Sequence, residues 1–184
     1  VNQDGALHAG IYGPTLCGKT TLGKELCADF EARGYKTLVC HPWDRNWPCT
    51  WWTNNLEQFI AKAKDSRSCA LFIDEGGQVQ LRDAECEWLV TGARNWGHVT
   101  HLMGNATRQI TPTMRDNLSR LFLFKCGKEA AKKWYEVFAE EDIKKAVTLE
   151  KYQFLQIESF QPTLTRKLNL KGKPHHERKP VVSA

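Results

Sequence analysis

Residues 13–20 read Gly-Pro-Thr-Leu-Cys-Gly-Lys-Thr. Two glycines separated by four residues, followed at once by a lysine and a threonine, let a backbone curl its N–H groups around phosphate oxygens. Every residue of the loop, Gly13, Pro14, Thr15, Leu16, Cys17 and Gly18 through Lys19, Thr20 and Thr21, is therefore expected to lie against a nucleotide. Lys19 would reach the terminal phosphates, the Thr20 hydroxyl would ligate Mg²⁺, and Thr21 would continue the phosphate contacts at the start of a helix whose N-terminus favours anions. Cys17 has two readings: a thiol whose pKa is lowered by helix amides, or filler at a tolerant position.

A second pair follows 54 residues later. Leu71-Phe72-Ile73 is an apolar run that ends in Asp74-Glu75. Acids at the carboxyl end of a buried strand lie where open α/β sheets meet their ligands. Asp74 suits the Mg²⁺ shell, and Glu75 suits a base that polarises an attacking water. A third segment, His101 to Arg108, runs from apolar into polar residues, and a side chain there is placed to sense a γ-phosphate, with Thr107 the first choice and Asn105 the second. These groups describe a site for ATP and Mg²⁺. No Asn-Lys-x-Asp guanine motif occurs in the chain.

Such groups converge only if strands and helices alternate. Residues 8–12 read as a strand entering the glycine loop. Residues 19–33 read as a helix with Leu22, Leu26 and Phe30 on one face, stopped by Gly34, and 35–41 as a second strand. Beyond a tryptophan-rich loop at 42–53, helices are expected at 56–64, 84–95, 112–118 and 128–139, the third begun by Pro112 at a first-turn position. Strands are expected at 69–73, 99–104, 121–125 and 152–157. This alternation predicts an α/β fold, a mainly parallel central sheet with helices on both faces. No internal repeat is visible.

With 184 residues the chain has material for one compact core. Residues 1–161 form the expected domain, and 162–184 an expected flexible basic tail. The tail holds Arg166, Lys167, Lys171, Lys173, Arg178 and Lys179 against Glu177 alone, which accounts for the whole formal net charge of +5. A basic arm on a neutral body fits a polyanion such as nucleic acid, and equally a solvated terminus. No apolar run approaches the roughly 20 residues of a membrane span, and no signal-peptide pattern is present. Seven cysteines without a Cys-x-x-Cys pair read as reduced thiols of an intracellular protein.

Trp43, Trp47, Trp51 and Trp52 crowd one loop beside Asp44 and Arg45. Stacking on bases or an adenine ring is one reading; aromatic packing that anchors the loop or a subunit interface is the other. His175 and His176 lack a visible third ligand for a metal.

The glycine loop, Phe72-Ile73-Asp74-Glu75, the stretch from Ala93 to Leu102, Ala106-Thr107-Arg108 and Ser119 to Phe124 together resemble, in that order, the FtsK–HerA superfamily of P-loop ATPases. Its small members, the genome-packaging ATPases of membrane-containing icosahedral viruses, match the chain in size. The resemblance covers about residues 10–124. It implies a RecA-like fold, a homo-oligomeric ring, translocation of double-stranded DNA driven by ATP hydrolysis, and partners among capsid or membrane vertex proteins. It also implies a place in the host cytoplasm or on the virion. The family's usual Thr-Gln-Arg run is here Ala106-Thr107-Arg108-Gln109, with Thr107 where Gln is expected. An arginine from a neighbouring subunit is expected to complete the site, and of Arg94, Arg108, Arg115 and Arg120 the favoured one is Arg94. Two other readings remain. A nucleoside or nucleotide kinase resembling type II thymidine kinases would use Glu75 on a sugar hydroxyl, although their paired zinc cysteines are missing. A nucleotide-gated assembly protein would need no strong base.

Overall fold

The computed structural model describes residues 7–74 and 84–170. Eight strands form one sheet in the order β3-β2-β4-β5-β1-β6-β7-β8. β1 (Ala9–Tyr12) lies between β5 (Val99–Gly104) and β6 (Arg120–Phe124), with Ile11 opposite both Met103 and Phe122. β4 (Cys69–Asp74) pairs with β5 and with β2 (Lys36–Cys40), and β2 carries β3 (Trp51–Thr53) on its outer edge. All these pairings are parallel. β7 (Gln153–Glu158) runs antiparallel to both β6 and β8 (Leu164–Lys167).

Alternation along the strands divides the core in two. In β4, Leu71 and Ile73 face one side, with Phe59, Leu89, Met114 and Trp134 from α2 (Leu56–Lys64), α3 (Ala84–Thr91), α4 (Pro112–Asp116) and α5 (Lys128–Phe138). Ala70 and Phe72 face the other, under α1 (Lys19–Ala32), which buries Leu22, Cys27 and Phe30. Helices thus cover both faces, as the strand pattern predicts. Strands buried on two sides carry near-continuous apolar runs, and all six residues of β4 are buried.

The helix boundaries follow local chemistry. α1 ends where Gly34 takes φ 84° and its N–H bonds to the Glu31 carbonyl at 2.9 Å. Asn55 caps α2 by accepting from the Gln58 amide at 2.9 Å, and Thr111 caps α4, with Pro112 behind it. The helix expected over 84–95 instead stops at Thr91. Gly92 lies under the Trp88 ring, where a Cβ would come within 2.4 Å, and the chain tightens into a 3₁₀ turn at Ala93–Trp96.

Two elements depart from expectation. The tryptophan-rich loop contains β3, which pairs Trp51 with Leu38. The sheet also continues past residue 161: β8 pairs with β7, and Leu168, 6% exposed, packs into the core under α1. The expected basic tail therefore begins within the sheet, and its residues 171–184 lie outside the described residues, as does Glu75. Among the described residues no helix is long and apolar enough to cross a membrane. All seven cysteines are free thiols.

Candidate nucleotide site

The loop between β1 and α1 opens on a cleft of about 490 Å³ at the carboxyl ends of β1, β4 and β5. Its shape is imposed by neighbours as much as by its own residues. A Cβ at Gly18, where φ is 110°, would meet Leu168 Cδ1 at 2.4 Å. One at Gly13 would meet Phe124 Cβ at 2.6 Å. Leu16 takes φ 64° and is 76% exposed, so the loop crest presents an apolar side chain to the cleft. Pro14, Thr15 and Cys17 complete the loop, and Thr15, Thr20 and Thr21 line the cleft.

Lys19 is buried at the base of this loop. Its Nζ donates to the carbonyls of Gly13 and Pro14, both at 2.9 Å, and to Asn105 Oδ1 at 2.8 Å. An ammonium has three protons, and all three are engaged. A phosphate entering the loop must replace at least one of these acceptors, so the lysine is held ready by bonds that exchange. Burial lowers the Lys19 pKa, partly offset by the Cys17 thiol and the Asp74 carboxylate. For Cys17, burial raises the pKa more than Lys19 and the nearby amides lower it, which favours filler over an activated thiol.

Thr20 Oγ1 donates to Asp74 Oδ2 at 3.0 Å. A hydroxyl and a carboxylate touching at the mouth of a phosphate loop form an all-oxygen donor set, and Mg²⁺ prefers such hard ligands alongside phosphate and water. The donor set fits the expected ion: Thr20 would hold it directly and Asp74 through the shell. Such an ion would neutralise charge developing on the phosphates.

The other expected residues separate. Asn105, the second choice as phosphate sensor, is the residue that meets Lys19. Thr107, the first choice, is 5% exposed and belongs to a 3₁₀ turn (Thr107–Gln109), where its carbonyl accepts from Arg115 Nη1 at 2.9 Å. It lines a different hollow, with Arg108, Asp116 and Lys133, rather than the nucleotide cleft. Asn105 is aimed instead because Gln109 Oε1 accepts from the backbone amides of Asn105 and Ala106, at 2.6 and 2.7 Å, and so pins the strand end. Arg94 lies in the 3₁₀ turn before β5, at the amino end of the sheet. The six residues of β5 put it roughly 20 Å from the cleft of its own chain.

Two cleft residues, His41 and Tyr152, have no place among the motif residues, and a third, Trp43, stands where the stacking reading of the tryptophan-rich loop puts it. His41 directly follows β2 and reaches Asp74; Tyr152, at φ 66°, packs its ring against the loop side of Gly18; Trp43, 68% exposed, flanks the opening. The strand order carries the signal for His41, since β2 adjoins β4 and the two carboxyl ends are neighbours. The remaining tryptophans divide as the packing alternative expects: Trp47 is 7% exposed against Phe72, and Trp51 and Trp52 belong to β3.

A mainly parallel sheet with a phosphate loop between β1 and α1 is the fold of a P-loop NTPase. Solved structures bear this out over nearly the whole chain. The genome packaging NTPase B204 of Sulfolobus turreted icosahedral virus 2, in complex with AMPPCP, superposes with a TM-score of 0.74 at 14% identity, covering 91% of this chain and all of that one. B204, the DNA-packaging ATPase of Sulfolobus turreted icosahedral virus, gives 0.70 at 16%, covering 90% of this chain and 98% of that one. The pCW3 conjugation coupling protein TcpA, solved with ATPγS, gives 0.65 at 12%, covering 91% of this chain and 61% of that one. At these identities the likeness is one of fold, and it agrees with the FtsK–HerA resemblance of the motifs. No protein-family model and no curated protein sequence matches the chain.

Proposed function

We propose that this chain is an ATP-hydrolysing motor that moves double-stranded DNA and packages a viral genome into a preformed capsid. The observation that carries the reading is the convergence of Lys19, Thr20, Asp74 and Asn105 on one cleft, in a fold shared over 91% of the chain with a genome-packaging NTPase. In this reading Lys19 and the loop amides hold the β- and γ-phosphates, and Thr20 and Asp74 hold Mg²⁺. Glu75, the residue after Asp74 in the sequence, polarises the attacking water. Asn105, rather than Thr107, takes the sensor role, because its Oδ1 already accepts from Lys19 in the cleft and the Nδ2 of the same amide is a donor for a γ-phosphate oxygen.

Arg94 enters the proposal only in trans. Its distance from the cleft of its own chain fits a ring in which each subunit offers its amino-end rim to the next. The DNA partner is supported by the basic charge beyond residue 161, which contacts phosphates without sequence preference.

Triplex displacement tests the motor directly. A ring advancing along linear duplex strips a bound third strand at a rate that depends on ATP, and Lys19→Ala abolishes it. Turnover of ATP with no displacement, together with phosphorylation of a deoxynucleoside panel, would favour the kinase reading instead.

A further inference from the structure

His41 has a geometry that the phosphate loop does not explain. Its Nδ1 accepts two backbone amides, from Trp43 at 3.1 Å and Asp44 at 2.9 Å. An imidazole nitrogen that accepts carries its lone pair, so in the neutral ring the proton sits on the other nitrogen. That nitrogen, Nε2, lies 3.2 Å from Asp74 Oδ2, the same oxygen that accepts from Thr20. The ring is 6% exposed and lies against Trp47, at 5.8 Å between centroids. Trp47 is itself wedged onto α1 at Gly23, where a Cβ would meet it at 2.9 Å, and onto Phe72 of β4. Asp44, whose amide caps the ring, is tied to α1 by Lys24 at 2.5 Å.

We propose that His41 is a positioning residue with two separable duties: Nε2–H aims the Asp74 carboxylate at the metal, and Nδ1 fixes the start of the tryptophan-rich loop. This deepens the nucleotide-site reading and rests on it. A carboxylate that accepts from both Thr20 and His41 has one orientation rather than several, which is how partners behind a metal ligand raise affinity. Because one ring serves both duties, a shift of the loop at Trp43 moves the ring that holds Asp74. The loop is thereby mechanically linked to the metal-holding acid, and its exposed Trp43 sits at the cleft mouth.

Two conservative variants divide the duties. In His41→Gln the side-chain nitrogen falls where Nε2 lies, so the donor to Asp74 survives and the cap on the loop is lost. In His41→Asn the side-chain oxygen falls where Nδ1 lies, so the loop cap survives and Asp74 loses its donor. Fluorescent-nucleotide titration at varied Mg²⁺ reads the first duty. The Mg²⁺ half-saturation should rise about tenfold or more in His41→Asn and stay within about threefold of wild type in His41→Gln. Hydrogen exchange at the amides of residues 43 and 44 reads the second, faster by about tenfold or more in His41→Gln and unchanged in His41→Asn. Equal Mg²⁺ dependence in wild type and both variants would overturn the proposal while leaving the nucleotide site standing. A wild type that binds nucleotide with no response to Mg²⁺, or binds none, would overturn the site reading and this one with it.

Discussion

At the carboxyl end of the sheet, Lys19, Thr20, His41, Asp74 and Asn105 bond to one another and to loop carbonyls, around a cleft open to ligand. At the amino end, polar side chains are buried just as deeply and do something else. His98 accepts from the Cys69 amide at 3.1 Å and meets the Ala63 carbonyl at 3.0 Å, His8 accepts from the Thr100 amide at 3.1 Å, and Thr100 Oγ1 donates to the Leu89 carbonyl at 2.5 Å. Each of these bonds terminates on backbone, two joining the starts of adjacent strands and two tying β5 and the residue before it to α3 and α2. Burial of a polar group therefore does not identify function in this molecule. What separates the two ends is whether side-chain partners face each other across space that a ligand can enter.

The largest effect should come from Lys19→Ala, which breaks the carboxyl-end network at its centre. Hydrolysis should fall by about a hundredfold or more, while the thermal midpoint moves by only a few degrees. Asn105→Ala should come next, lowering kcat by about tenfold to a hundredfold with nucleotide affinity nearly unchanged. Thr107→Val, two residues on but outside the cleft, should leave kcat within about twofold. A reversed ranking in steady-state kinetics would return the sensor role to Thr107.

Variants at the amino end should show the opposite division. His98→Ala leaves the Cys69 amide and the Ala63 carbonyl without their partner and should cost about 2 kcal/mol in urea unfolding, with kcat unchanged. Acid should find the same end first. Burial, with the charges of Arg94 and His98 adding to it, lowers the His8 pKa to about 4, and burial takes His101, stacked on Phe72, to about 3. Both are lowered below the unfolded value near 6.5, so the unfolded chain binds more protons between the two values. Stability is then full above about pH 6.5, declines as pH falls toward 4, and levels off below the folded pKa, by about 3 kcal/mol for His8. Unfolding midpoints measured from pH 7 to pH 4 on wild type and His8→Gln should show the variant with the shallower decline.

The smallest effect on turnover should follow from removing residues 171–184. Basal hydrolysis should be unchanged, and the salt dependence of DNA binding should flatten by up to about 3.5 in log–log slope for four lost charges. A truncation placed at residue 161, where composition alone draws the boundary, would also delete Leu168 from behind Gly18 and should impair nucleotide binding.

Much of the carboxyl end was legible in the sequence because its signals are local. A phosphate loop needs Gly13, Gly18, Lys19 and Thr20 at fixed offsets, and an apolar run ending at Asp74 marks a strand end. The helices on both faces followed from apolar spacing. What escaped depends on strand order. His41 meets Asp74 because β2 lies beside β4, and Asn105 lines the cleft while Thr107 does not because the chain turns into a 3₁₀ helix after Asn105. β8 escaped because its residues are exposed and carry no alternating pattern. Arg94 precedes β5 in the chain and so lies at its amino end, away from the cleft of its own subunit.

Whether ATP turnover is coupled to DNA is read by steady-state hydrolysis with Mg²⁺, with and without saturating linear duplex DNA and with Lys19→Ala as the blank. Turnover should rise severalfold or more with DNA and vanish in the variant. Turnover that is indifferent to DNA, or that survives in Lys19→Ala, would contradict a DNA-coupled motor.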